Sequence, residues 1–171
     1  MDLTRKQKLT KYFSFCALII IADLIQNVQG LMPEIFGARC FIIIPSLIIL
    51  IIGEDEITAA LLGLFAGLLW DISSSVHLGF NCIFFAVICF IISMLVNHLI
   101  RDTFITNMIF CGIAIIIYCL VYWLIFIVIK DVDGGRETLF SFYLPCAIYT
   151  AVITPIVFII YKPVKKKLNK K

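Results

Sequence analysis

The chain has 171 residues, 63% of them hydrophobic and 15% charged, with a mean hydropathy of +1.11 and a formal net charge of +3. So few charges cannot clothe a water-soluble core of this size, and crossings of roughly 20 residues each take up nearly the whole length, which excludes a separate soluble domain. The basic clusters at the two ends abut apolar runs and build no face with base-reading side chains, which argues against nucleic acid as a partner.

Six apolar runs follow one another, at residues 12–28, 36–52, 57–72, 76–100, 104–129 and 139–161. They predict an all-α, polytopic membrane protein of six transmembrane helices in one domain, residues 1–171, with basic cytoplasmic tails at 1–11 and 162–171. The first run follows Arg5, Lys6, Lys8 and Lys11 and has the outline of a signal peptide, but it contains Asp23, Gln26, Asn27 and Gln29 and lacks a small-x-small cleavage site. It therefore reads as a retained span. Gly30, Pro33 and Glu34 end it, and the second run opens near Arg39 and carries Pro45. The first three runs are short for a bilayer, so their helices are expected to stand upright or to thin the membrane locally.

Gly53, Glu54, Asp55 and Glu56 separate the second run from the third, placing carboxylates where a helix dipole favours them. Asn97, His98, Arg101 and Asp102 split the fourth from the fifth, and a polar turn from Lys130 to Glu137 precedes the sixth. With both termini in the cytoplasm, the amino-terminal cluster, Arg101 and the six lysines after Tyr161 lie inside, and only Arg39, Lys130 and Arg136 lie outside. The positive-inside rule favours that orientation. Pro145 and Pro155 fall within the sixth run, where they would free backbone carbonyls. Tyr118, Tyr122, Trp123, Tyr143 and Tyr161 read as interfacial anchors.

The third run carries the most specific pattern. Ala59, Gly63, Gly67 and Asp71 recur every four residues, so one helix face holds three residues of almost no bulk and ends in a carboxylate. Small residues at that spacing let two membrane helices approach closely, which makes this face a helix-packing or partner interface. A serine turn follows, and then Leu78, Gly79, Phe80 and Asn81 open the fourth run. Asp71 is placed to accept hydrogen bonds from the amides opening that run, from the turn serines or from Asn81, with a partner or ligand contact as the alternative.

Asp23 lies at membrane depth, with Gln26 and Asn27 three and four residues on and Arg39 as the nearest cation in sequence. An ion pair or a polar pocket is expected there, since buried ionisable groups in a membrane need partners and commonly mark function. A proton-coupled transporter using Asp23 would need a relay, and His77 and His98 fall at opposite faces. The seven cysteines all lie in apolar runs with no Cys-x-x-Cys pair, so they read as small hydrophobes, with no metal or cofactor implied. No phosphate loop, nucleophile elbow or paired carboxylates suggest an enzyme.

Gly67-Leu68-Leu69-Trp70-Asp71, the polar turn and Leu78-Gly79-Phe80-Asn81 together resemble the signature of MreD, the rod shape-determining membrane protein family of bacteria. Chain size, the six runs and Leu24-Ile25-Gln26 near the end of the first are similar too. Where the family often has a Pro-Asp pair at the start of its second span, this chain has Ala38-Arg39. The resemblance implies a non-catalytic scaffold of the peptidoglycan elongation machinery in the bacterial inner membrane. Its implied partners are an MreC-like single-span protein, MreB, RodZ, RodA with its penicillin-binding transpeptidase, and membrane lipid. The family is also similar in fold to the substrate-binding components of energy-coupling-factor vitamin transporters, which supplies the alternative function. Those components dock their partner through Ala-x-x-x-Ala in the first helix; here Ala17 is followed by Ile21 and Ala22 by Gln26.

Overall fold

The computed structural model describes residues 5–28, 38–74, 78–98, 103–129 and 138–170. The turn residues Ser75 and His77, the loop residues Gly30, Pro33, Glu34, Arg101 and Asp102, and the polar turn holding Lys130 and Arg136 lie outside the described residues. Six α-helices make up the described chain: α1 (Arg5–Asn27), α2 (Ile43–Ile51), α3 (Glu56–Ser74), α4 (Phe80–His98), α5 (Phe104–Trp123) and α6 (Leu144–Lys170). A π-helical turn, Leu124–Val128, extends α5, and another, Leu139–Tyr143, leads into α6. α1 and α6 continue helically through the basic residues near the two ends.

Five of these helices are long and apolar enough to cross a membrane. They bury only 28–39% of their apolar windows inside the protein, so rows such as Ile105, Ile109, Ile116 and Leu120 on α5 are left to face lipid. The sixth expected span takes a different form. α2 is only nine residues long, about 14 Å of helix against a hydrocarbon core of about 30 Å, and every one of its residues is buried. An apolar run without a polar face belongs in the interior, and here the other helices supply the apolar surroundings in place of lipid.

Pro45 accounts for where α2 starts. A helix running through residues 38–52 would lose the hydrogen bond from position 45 and crowd the carbonyl of Phe41. The chain instead arrives extended, and Pro45 sits in the first turn, where its missing N–H is harmless. Non-helical backbone at membrane depth must find hydrogen bonds within the protein. The amides of Arg39, Phe41 and Ile43 donate to Cys146 Sγ (3.3 Å), Thr150 Oγ1 (3.0 Å) and Gln26 Oε1 (3.2 Å). Arg39 and Phe41 alternate along the segment before α2 and Ile43 opens the helix, and Cys146 and Thr150 sit one turn apart on α6 to receive the first two amides.

Beyond α2, Gly53 adopts a φ of +79°, a left-handed turn that suits glycine, and the Lys165 ammonium donates to the carbonyls of Ile49 (2.7 Å) and Ile52. The segment thus still passes from one end of the bundle to the other, half extended and half helical. Lys11 of α1 and Lys165 of α6 lie at the end where α2 stops, and the last turn of α3 and the first turn of α4 lie at the opposite end.

Candidate functional site

α3 and α4 are the most intimately packed pair of helices. A Cβ on Gly63 would collide with the backbone carbonyl of Phe85 and come within 3.0 Å of Cys89 Sγ; on Gly67 it would meet the Asn81 carbonyl and lie 2.5 Å from Cys82 Cα. Ala59, further along the row, is fully buried. The small-residue face is therefore closed by α4 of the same chain.

At the end of that face the Asp71 carboxylate is 2% exposed and takes four N–H donors. Oδ2 accepts from the amides of Gly79 (2.9 Å) and Cys82 (3.2 Å), and Oδ1 accepts from the amide (3.3 Å) and side-chain Nδ2 (2.9 Å) of Asn81. These are the unpaired donors at the start of α4, where an anion is favoured. Gly79, at φ +93°, makes the turn that aims its N–H at the carboxylate. The bond to Nδ2 leaves Asn81 Oδ1 buried without a donor among the described residues.

Asp23 is buried as well, and its two oxygens accept from Ser73 Oγ (2.8 Å) and Asn27 Nδ2 (2.9 Å), tying α1 to α3. Beside it opens a cavity of about 480 Å³. Gln26, Asn27 and Arg39 line it together with Ser73, Ser74 and Asn81, over aromatic walls from Phe41, Trp70, Tyr118, Tyr122, Phe142 and Tyr143. The rings support one another: Trp70 packs on Phe41 and Tyr118 with centroids 5.4 and 5.2 Å apart, and Tyr122 lies 6.0 Å from Tyr143. Tyr118, Tyr143 and Tyr161 are buried, and the Tyr161 hydroxyl donates to the Leu18 carbonyl (3.2 Å). These three tyrosines serve the interior of the bundle, which corrects the expectation that they anchor it at the membrane surface.

The opposite end holds a second polar cluster. Lys11 Nζ lies 2.6 and 2.8 Å from the two oxygens of Glu54, with both side chains buried. The Glu54 carbonyl accepts from Ser93 Oγ (2.7 Å) and Asn97 Nδ2 (2.9 Å), and Asn97 also donates to Glu56 (3.1 Å). α1, α4 and the link between α2 and α3 are locked together there. The seven cysteines are free thiols, and no group of three or more metal-ligating side chains forms among the described residues.

Against known proteins, the family model for rod shape-determining protein MreD matches residues 6–167, nearly the full chain. The chain belongs to the MreD family. It is a multi-pass membrane protein of a family that determines rod shape. No curated protein and no solved structure matches it.

In this MreD-family chain, the residues singled out from sequence fall into two neighbouring groups, one running along a helix seam from the start of α3 to the turn end and one at the turn end itself. Ala59, Gly63, Gly67, Asp71, Gly79 and Asn81 lie along the α3–α4 seam, while Gln26, Asn27 and Arg39 face the cavity, with Asp23 behind them on Ser73. Sequence reasoning missed Glu54, Lys11, Lys165 and Thr150. Lys11 and Lys165 sit within basic clusters that read as topology signals, and Thr150 has no distinguishing neighbour in sequence. Glu54 carried the one available signal, a carboxylate directly after the glycine that ends an all-apolar run.

Proposed function

We propose that this chain is a non-catalytic membrane scaffold of the bacterial cell-elongation complex, maintaining rod shape by holding an MreC-like single-span protein beside MreB, RodZ, RodA and its transpeptidase during side-wall peptidoglycan synthesis. The observation that carries the reading is the match to the MreD family over residues 6–167. The use made of the buried polar groups supports a non-catalytic role. Asp71 caps α4, Asp23 ties α1 to α3, and Glu54 and Lys11 join α1 to the α2–α3 link. Each stabilises the bundle, as buried polar groups in an apolar medium must.

The protein sits in the plasma membrane with both termini in the cytoplasm, as the distribution of Lys and Arg favours. The basic ends then also face anionic lipid. Because α4 already fills the Gly63–Gly67 face, partner helices meet the outward apolar faces of the bundle. Isolation of the tagged protein from its native membrane in mild detergent tests this reading. Recovery of a single-span coiled-coil protein together with cell-wall synthases is expected, and recovery of the protein with none of them would overturn it.

A further inference from the structure

The cavity at the turn end, at about 480 Å³ within the range of small-molecule pockets, holds polar groups that the scaffold role leaves unused. Tyr118 and Tyr143 both line it and are only 4% and 7% exposed, yet neither phenol hydroxyl has a hydrogen-bond partner among the described residues. Buried hydroxyls are rarely left unpaired, so these two call for a partner from outside the chain. The polar atoms sealed off without a partner belong to Ser46, Glu54 and Asn81, and the two phenols, not being among them, keep an opening. Tyr143 also borders a smaller hollow between α5 and α6, but that one exposes no polar atom, which leaves the larger cavity for its hydroxyl. Tyr143 ends the π-helical turn before α6, a rare backbone form that recurs at functional sites.

The neighbouring groups are half committed and so fixed in advance. Gln26 gives Oε1 to the Ile43 amide and keeps its NH2 as a donor; Asn27 gives its NH2 to Asp23 and keeps Oδ1 as an acceptor; Ser73 gives its proton to Asp23 and keeps its oxygen as an acceptor. All of these groups are uncharged, Asp23 is satisfied by Ser73 and Asn27, and Arg39 already has an interaction of its own. A charged ligand would therefore enter without a counter-charge, at a heavy desolvation cost. Hydroxyls suit the cavity better, since each both donates and accepts, as the phenols and amides here require. The half-buried ring of Phe142, edge-on to Tyr143 at 5.3 Å, adds an apolar wall for C–H groups.

We propose that this cavity binds a neutral sugar, free or as the head of a glycolipid, through hydrogen bonds to the Tyr118 and Tyr143 hydroxyls and the Gln26 amide. The proposal does not depend on the scaffold reading.

Methyl β-glucoside serves as the probe, titrated against the purified full-length chain in an amine-oxide detergent, which carries no sugar of its own, with binding read by saturation-transfer NMR. Saturable binding is expected. Tyr143→Phe removes only the hydroxyl and should weaken binding about three- to tenfold, the loss of one hydrogen bond, while leaving thermal unfolding unchanged because that hydroxyl has no partner within the protein. Ser74→Phe, which fills the cavity from its rim, should abolish binding, and Lys8→Gln, in the amino-terminal basic cluster, should leave it unchanged. Hexyl β-glucoside below its micellar concentration separates the two sources: tighter binding than the methyl glycoside, with the same loss in Tyr143→Phe, assigns the head of a glycolipid, and equal affinity assigns a free sugar. Absence of saturable binding, or a Tyr143→Phe variant that binds as well as wild type and melts lower, would overturn the proposal.

Discussion

Gly67 and Gly112 show how the same residue has opposite meanings on two helices. On α3, a methyl group at Gly67 would be forced into the backbone of α4, which cannot yield as a flexible side chain can. On α5, a methyl group at Gly112 would meet nothing within 4 Å. Gly67→Ala should therefore lower stability by about 1–3 kcal/mol, the usual cost of overpacking, whereas Gly112→Ala should be neutral or stabilising by up to about 1 kcal/mol through helix propensity. Thermal unfolding of the purified variants in detergent compares them directly. Equal melting of Gly67→Ala and wild type would mean that the two helices are not held at this separation. Thr150 offers a second test at this scale. Thr150→Val keeps the shape but leaves the Phe41 amide without its acceptor, for a loss of about 1–3 kcal/mol, while Thr150→Ser should retain most of the stability. The same thermal measurement distinguishes them.

Among the elements, α2 and the α3–α4 hairpin show what a sequence can and cannot disclose. The hairpin was readable because its determinants are local: small residues at helical spacing, a carboxylate, a short turn and a glycine lie within 25 positions of one another. The second run was readable as apolar but not as half extended. Hydropathy measures whether a segment avoids water and does not tell a lipid-facing helix from a core segment, and the groups that satisfy its backbone, Gln26, Cys146 and Thr150, come from other helices. Pro45 held the clue to the helix start, since proline prefers the first turn. The Lys11–Glu54 pair was invisible for a related reason: its members lie 43 positions apart, and each has a sufficient local explanation. Removing one partner should be costly. Lys11→Met leaves a buried carboxylate unpaired and should destabilise the protein by about 3–5 kcal/mol, and the double variant Lys11→Met with Glu54→Leu should regain most of that loss. A double-mutant cycle read by thermal unfolding tests it, and additive losses would show that the two side chains do not depend on each other.

For the whole molecule, two polar clusters at opposite ends clamp a bundle whose outer surface is left to lipid and to partners. One cluster joins α1 to the link around Glu54, and the other joins α1, α3 and α4 through Asp23 and Asp71. Between them runs α2, wholly buried, so the fold is organised around its shortest helix. A rigid body of this kind suits the positioning of other membrane proteins, and its family assigns it to rod shape determination. The central claim is tested most directly by depleting the protein in its own host and measuring cell width and length. Cells should lose their rod form and round up, with rods restored by the wild-type chain. Rods of unchanged width after complete depletion would contradict the account.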